Sequence, residues 1–128
     1  MLRTTLAALI FTAGAAGIAH ADGMRFHEAI AQPGVREQVD ELLGEQPGWV
    51  GFVLDRGGVE GQAITLTLAD QDYEFYPTCR PHECNMKKIG LMIGEDGATY
   101  LRLYGTETED VIFGKPPEDV AEALAAQE

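Results

Sequence analysis

From Ala63 to Tyr104 the chain repeats one pattern, a short run in which apolar and polar residues alternate, followed by a polar or glycine-rich break. In Ala63 to Ala69, Ile64, Leu66 and Leu68 fall on one side and Thr65 and Thr67 on the other. A period of two marks a half-buried strand, and threonine suits a pleated surface. Asp70-Gln71-Asp72 reads as a turn, and Tyr73 to Tyr76 as an aromatic-rich strand stopped by Pro77. Lys87 to Ile93 resumes strand character. Gly94-Glu95-Asp96-Gly97 is a four-residue hairpin turn into Ala98 to Tyr104, where Tyr100 is separated from Leu101 and Leu103. Parallel neighbours need long crossovers, whereas connections this short join antiparallel strands.

Helices flank this block. Val35, Val39, Leu42 and Leu43 lie at i, i+4, i+7 and i+8, which is one helical face, and Gly44 is placed to end it. Pro116-Pro117 opens a last helix, Glu118 to Gln127, with Glu118 and Asp119 in the first turn, where the helix dipole favours negative charge, and Val120 and Leu124 as apolar anchors. Trp49 to Leu54 is a continuous apolar run that reads as a strand, followed by the turn signal Asp55-Arg56-Gly57-Gly58. The expectation is an α+β fold, an antiparallel sheet of about five strands with the terminal helices packed on one face of it.

The N-terminus sets the compartment. Arg3 precedes a short uncharged apolar run, Leu6 to Ile18, and Ala19-His20-Ala21 fits a small-x-small cleavage site. That order of features is a secretory signal peptide, and the apolar run is short for a membrane span. Residues 1–21 are therefore expected to be removed, leaving 107 of the 128 residues as one domain, 22–128. Removal takes away only Arg3, so 8 basic residues remain against 21 acidic ones, a net charge of −13. So acidic a chain argues against nucleic acid or an anionic membrane as partner and suits a basic protein.

The only two cysteines, Cys79 and Cys84, enclose Arg80-Pro81-His82-Glu83. In an exported chain they form a disulfide, and only one intrachain pairing exists. A disulfide holds its Cα atoms about 4.4–6.8 Å apart, so the four enclosed residues must bulge as a tight loop. Pro81 fixes its own φ and extends Arg80. Closing so small a ring is worth about 2 kcal/mol in the chain-entropy model, a modest return. The main effect is local, a stiff loop presenting Arg80, His82 and Glu83. A redox centre would use Cys-x-x-Cys, and a zinc site needs about four ligands where this loop offers three. A structural staple and a preorganised binding finger both remain open on the residues alone.

Cys79-Arg80-Pro81-His82-Glu83-Cys84 resembles the Cys-Lys-Pro-His-Asp-Cys loop of the inhibitor of vertebrate lysozyme family, periplasmic proteins of Gram-negative bacteria. The signal peptide, the mature length, the loop between two strands and Gly114-Lys115-Pro116 before a C-terminal helix are also similar. Arg80 stands where the family has lysine and Glu83 where it has aspartate; both substitutions keep charge, although arginine and lysine differ in hydrogen-bond geometry. The resemblance implies a periplasmic inhibitor of C-type lysozyme, a homodimer, whose loop enters the catalytic cleft. His82 would meet the two catalytic carboxylates, with Arg80, Pro81 and Glu83 shaping the loop. Control of endogenous lytic transglycosylases is the alternative within the family, and a periplasmic binding module with the loop as staple is the alternative outside it. No cofactor or metal is implied.

The remaining residues suggest no chemistry of their own. Trp49, Tyr73 and Phe75 read as packing, His27 as a surface or helix-edge residue, and Glu107, Glu109 and Asp110 as a solvated face. No Ser/His/Asp set, phosphate loop or paired-carboxylate spacing stands out, which argues against an enzyme.

Overall fold

The computed structural model describes residues 23–128; the expected signal peptide, residues 1–21, lies outside the described residues. Three helices, α1 (Phe26–Ile30), α2 (Val35–Leu43) and α3 (Gly48–Arg56), come first. Six strands follow, β1 (Val59–Glu60), β2 (Ile64–Leu68), β3 (Gln71–Cys79), β4 (Lys88–Gly94), β5 (Thr99–Tyr104) and β6 (Val111–Phe113), and then helix α4 (Glu118–Ala125). All pairings are antiparallel, in the order β1-β3-β4-β5-β6, with β2 beside β1 along the same edge of β3. The fold is α+β, with helices at both ends of the described chain, as the hairpin pattern predicted. Among the described residues no helix is long and apolar enough to cross a membrane.

The expectation that Trp49 to Leu54 is a strand is wrong, because this run is α3. Val50 and Val53 are buried and Leu54 is half-buried against the same core, a spacing of three and four that an unbroken apolar run conceals. Pro47 precedes the first turn, and Gly57 closes the last by donating to the Val53 carbonyl at 2.9 Å. Helix α1 has no sequence signal, since five residues are too few to show a period. Its N-terminal end is held by the Glu28 carboxylate, which accepts from the Arg25 amide at 3.0 Å.

The helices do not share one face of the sheet. Phe26, Ala29, Ile30, Val39, Leu43, Val50 and Val53 of α1–α3 pack on Tyr76, Ile89, Leu91, Leu101 and Leu103. Val120 and Leu124 of α4 pack on Tyr73, Phe75 and Met92, across the sheet. The alternation explains it: Tyr76, Ile89 and Leu91 fall on one side of β3 and β4 and Tyr73, Phe75 and Met92 on the other, so both faces need a cover.

Nor does Pro77 end its strand. β3 continues to Cys79, with Pro77 opposite Gly90 of β4. The Pro77 carbonyl accepts from the Gly61 amide at 3.2 Å, which points its nitrogen toward the β1–β2 edge as well. That edge is interrupted between Glu60 and Ile64, so the absent N–H falls where no ladder partner waits. A Cβ at Gly61 would lie 2.9 Å from the proline ring, so a glycine lets the edge pass. The turn between β2 and β3 is tighter than Asp70-Gln71-Asp72: Ala69 and Asp70, both at positive φ (50° and 67°), connect the paired Leu68 and Gln71.

At the end of β5 away from the turn, Arg102 is 6% exposed. It donates to both Asp110 oxygens (2.9 and 2.7 Å) and to the carbonyls of Leu124 and Gln127 (2.9 and 2.7 Å), and its guanidinium lies 4.0 Å from the Tyr104 ring centroid. The C-terminus of α4, where carbonyls lack helical partners, is thus tied to the sheet by one cation.

Candidate functional site

The connection from β3 to β4 carries the cysteines. Cys79 is the last residue of β3, and its register partner is Lys88, the first of β4. The ladder extends one step further, the Arg80 amide donating to the Lys87 carbonyl at 3.0 Å. Cys79 and Cys84 form the expected disulfide, with Cα atoms 4.9 Å apart. Oxidised sulfurs are not thiolate ligands, so the zinc reading lapses.

Inside the ring the chain makes a reverse turn. The Glu83 amide donates to the Arg80 carbonyl at 3.0 Å, Pro81 takes the second position, and His82 takes the third with φ 70°. Proline followed by a positive φ is the type II pattern, in which glycine is the usual third residue. A side chain there costs about 1 kcal/mol relative to glycine. His82 is exposed, and Pro81 is half-buried beside it. The turn therefore holds an imidazole outward at a position where backbone economy alone favours no side chain.

The finger is braced from below. Glu83 accepts from Arg80 Nη1 at 2.7 Å and from Lys87 Nζ at 2.8 Å, and Lys87 also reaches Glu107 at 3.5 Å. Lys87 and Arg80 beside it hold the Glu83 carboxyl below the ordinary carboxylate range, and Glu83 in turn raises Lys87. The amides of Thr106 and Glu107 donate to the carbonyls of Asn85 and Met86 (3.0 and 3.2 Å), and the Thr108 hydroxyl donates to Met86 at 2.7 Å. Gly105, at φ 124°, passes so close to Met86 that a Cβ would collide with its carbonyl.

The structure thus brings Arg80, Pro81, His82 and Glu83 into one rigid tip but gives them different surroundings. Arg80 and Glu83 face each other within the loop, and His82 is the member left outward and exposed. Sequence reasoning missed Lys87, whose i+4 spacing from Glu83 was the available signal. It also missed Phe52 of α3, whose ring centroid lies 5.9 Å from the Arg80 guanidinium. Among the described residues no group of three or more His, Cys, Asp and Glu side chains is arranged to hold a metal ion.

No protein-family model matches the chain. It is similar to two curated proteins, each named inhibitor of vertebrate lysozyme, from Escherichia coli strain K12 and Escherichia coli O157:H7. In both cases 33% of 63 residues are identical, covering 49% of this chain and 38% of the relative. The chain thus matches well under half the length of these relatives.

Proposed function

We propose that this protein is a periplasmic inhibitor of C-type lysozyme that acts by occlusion, without catalysis of its own. The observation that carries the reading is the exposed His82 at the tip of a disulfide-closed turn, and the similarity to proteins named as lysozyme inhibitors supports it. Lysozyme cleaves the glycosidic bond between two carboxyl groups, one of them kept protonated by an apolar pocket. An imidazole carries two ring nitrogens, so one side chain can engage both carboxyls. A tip ordered before contact loses little entropy on docking, which is the benefit of the ring and of the Glu83 brace.

Charge supports the reading at two ranges. Without residues 1–21 the chain carries 8 basic against 21 acidic residues, a net charge of −13, which attracts a basic enzyme and raises the encounter rate. The finger end is different: four of the full chain's nine Lys and Arg residues, Arg56, Arg80, Lys87 and Lys88, adjoin it, against Glu83 and Glu107 at the finger and Glu60 at the neighbouring strand position. An acidic body with a cationic tip matches a basic protein with an acidic cleft.

The decisive experiment is lysis of a cell-wall suspension by a basic C-type lysozyme, followed by turbidity with and without the purified exported protein. The expected result is loss of lysis as the protein approaches equimolar amounts. Undiminished lysis at large excess would return the finger to a staple.

A further inference from the structure

Helix α3 buries Val50 and Val53 and half-buries Trp49 and Leu54, so its core-facing side is complete without Phe52. Phe52 lies outward, 43% exposed, and nothing in either core requires an aromatic ring at that position. Two guanidinium groups from different elements flank the ring, Arg56 at 6.0 Å and Arg80 at 5.9 Å from its centroid. Val59, 54% exposed, pairs with Cys79 on the neighbouring strand and contacts its sulfur through its carbonyl at 3.4 Å. A single exposed apolar residue needs no explanation. Here an exposed aromatic and two arginines adjoin the finger, residue types enriched at protein interfaces.

We propose that Phe52, framed by Arg56 and Arg80, is a second anchor of the docking surface, seating in an apolar recess bordered by a carboxylate on the rim of the glycosidase cleft that the finger enters. The proposal rests on the inhibitor reading and names the partner's matching surface. Continuity argues for the same partner: Arg80 belongs to the finger through Glu83 and to the platform through Phe52. Charge argues for the border. Arg80 uses one N–H on Glu83 and a guanidinium offers five, so the platform keeps donors for an acidic group beside the recess.

The test is a dissociation constant for a C-type lysozyme, measured by surface plasmon resonance for wild type, Phe52→Ala, Arg80→Ala and the double variant, with thermal unfolding as the folding control. Phe52→Ala is expected to unfold at the wild-type temperature and to weaken binding about 10- to 30-fold, the range of an interface anchor. The loss should persist in the Arg80→Ala background, where the ring no longer steadies a guanidinium. If wild type binds and Phe52→Ala stays within about twofold of it, the platform is overturned while the inhibitor reading stands. A loss that vanishes in the Arg80→Ala background also overturns it, since Phe52 would then act only by positioning Arg80. Wild type that does not bind overturns the inhibitor reading and the platform together.

Discussion

Arg102 and Arg80 are both paired with a carboxylate and both lie over an aromatic ring, yet they serve opposite ends of the molecule. Arg102 is buried, engages Asp110 through two nitrogens, closes the carbonyls of α4 and stacks on a buried tyrosine. Arg80, its side chain 37% exposed, makes one bond to Glu83 and lies over an exposed phenylalanine. At one end polar groups are turned inward and hold the chain together. At the other a stiff scaffold keeps an imidazole and an aromatic ring facing out, with a half-buried arginine beside the ring. The difference teaches where to expect loss of stability and where to expect loss of binding.

The sharpest way to break that contrast is His82→Ala. On the inhibitor reading His82 meets buried carboxylates, so truncation should cost about 2–5 kcal/mol of binding, or roughly 30- to 5,000-fold in Kd. The unfolding temperature should not fall, because His82 supports nothing beneath it. Calorimetric titration with lysozyme, with circular dichroism on the same sample, checks both halves; a folded variant that binds like wild type would remove the functional side of the contrast.

Arg102→Ala should give the mirror result. It removes charge-assisted bonds to Asp110 and to two carbonyls of the last turns, so stability should drop by about 2–4 kcal/mol in urea unfolding. The fraction still folded should inhibit as wild type does. Lost inhibition at unchanged stability would mean that the two ends are coupled.

Reducing the Cys79–Cys84 bond sharpens the distinction within the finger. The ring is small, so global stability should fall by about 2 kcal/mol or less, while inhibition should weaken more as the turn loses its closure. Parallel urea and turbidity curves with and without reductant decide it. Equal losses in both would favour the staple.

The smallest effects are those of pH. Arg102 holds Asp110 below its ordinary value of 3.8, and Lys87 and Arg80 hold Glu83 below 4.5. Each carboxylate favours the folded state above its ordinary value, and that support is lost as pH falls through the lower folded value. His27 of α1 behaves in the opposite sense. Glu60 of β1 accepts from its amide and meets its ring nitrogen, both at 2.7 Å, and raises it above 6.5, with Glu28 adding to the effect. Its support is complete below 6.5 and fades as pH rises through the raised value. Amide exchange in α1, corrected for intrinsic rates, should therefore be slower at pH 6 than at pH 8, with no such change at β4. A flat profile in α1 would dismiss the His27–Glu60 clamp.

β2 and α2 were legible because one face of each differs from the other. β2 alternates Ile, Leu and Leu with threonine, and α2 spaces its apolar residues at three and four. Helix α3 was illegible for the complementary reason: Trp49, Val50, Phe52, Val53 and Leu54 are all apolar, so the ring that faces out looked like the valines that face in. The two-faced core was partly written in β4, where Ile89, Leu91 and Met92 leave neither side polar. The finger could be located from its cysteines, and Pro81 signalled the turn. What no local pattern carries is long-range pairing: Arg102 with the end of α4, Met86 with Thr108, Arg80 with Phe52.

The left-handed backbone at His82 has a consequence for anyone evolving this protein in the laboratory. Randomise position 82 and sort the library for survival of heat alone, and glycine and asparagine should accumulate, since both occupy φ near 70° at less cost than histidine. Sort the same library for lysozyme capture, and histidine should return at the expense of melting temperature. The two sorts pull one codon in opposite directions, so a heat-hardened version selected without a binding step would arrive disarmed.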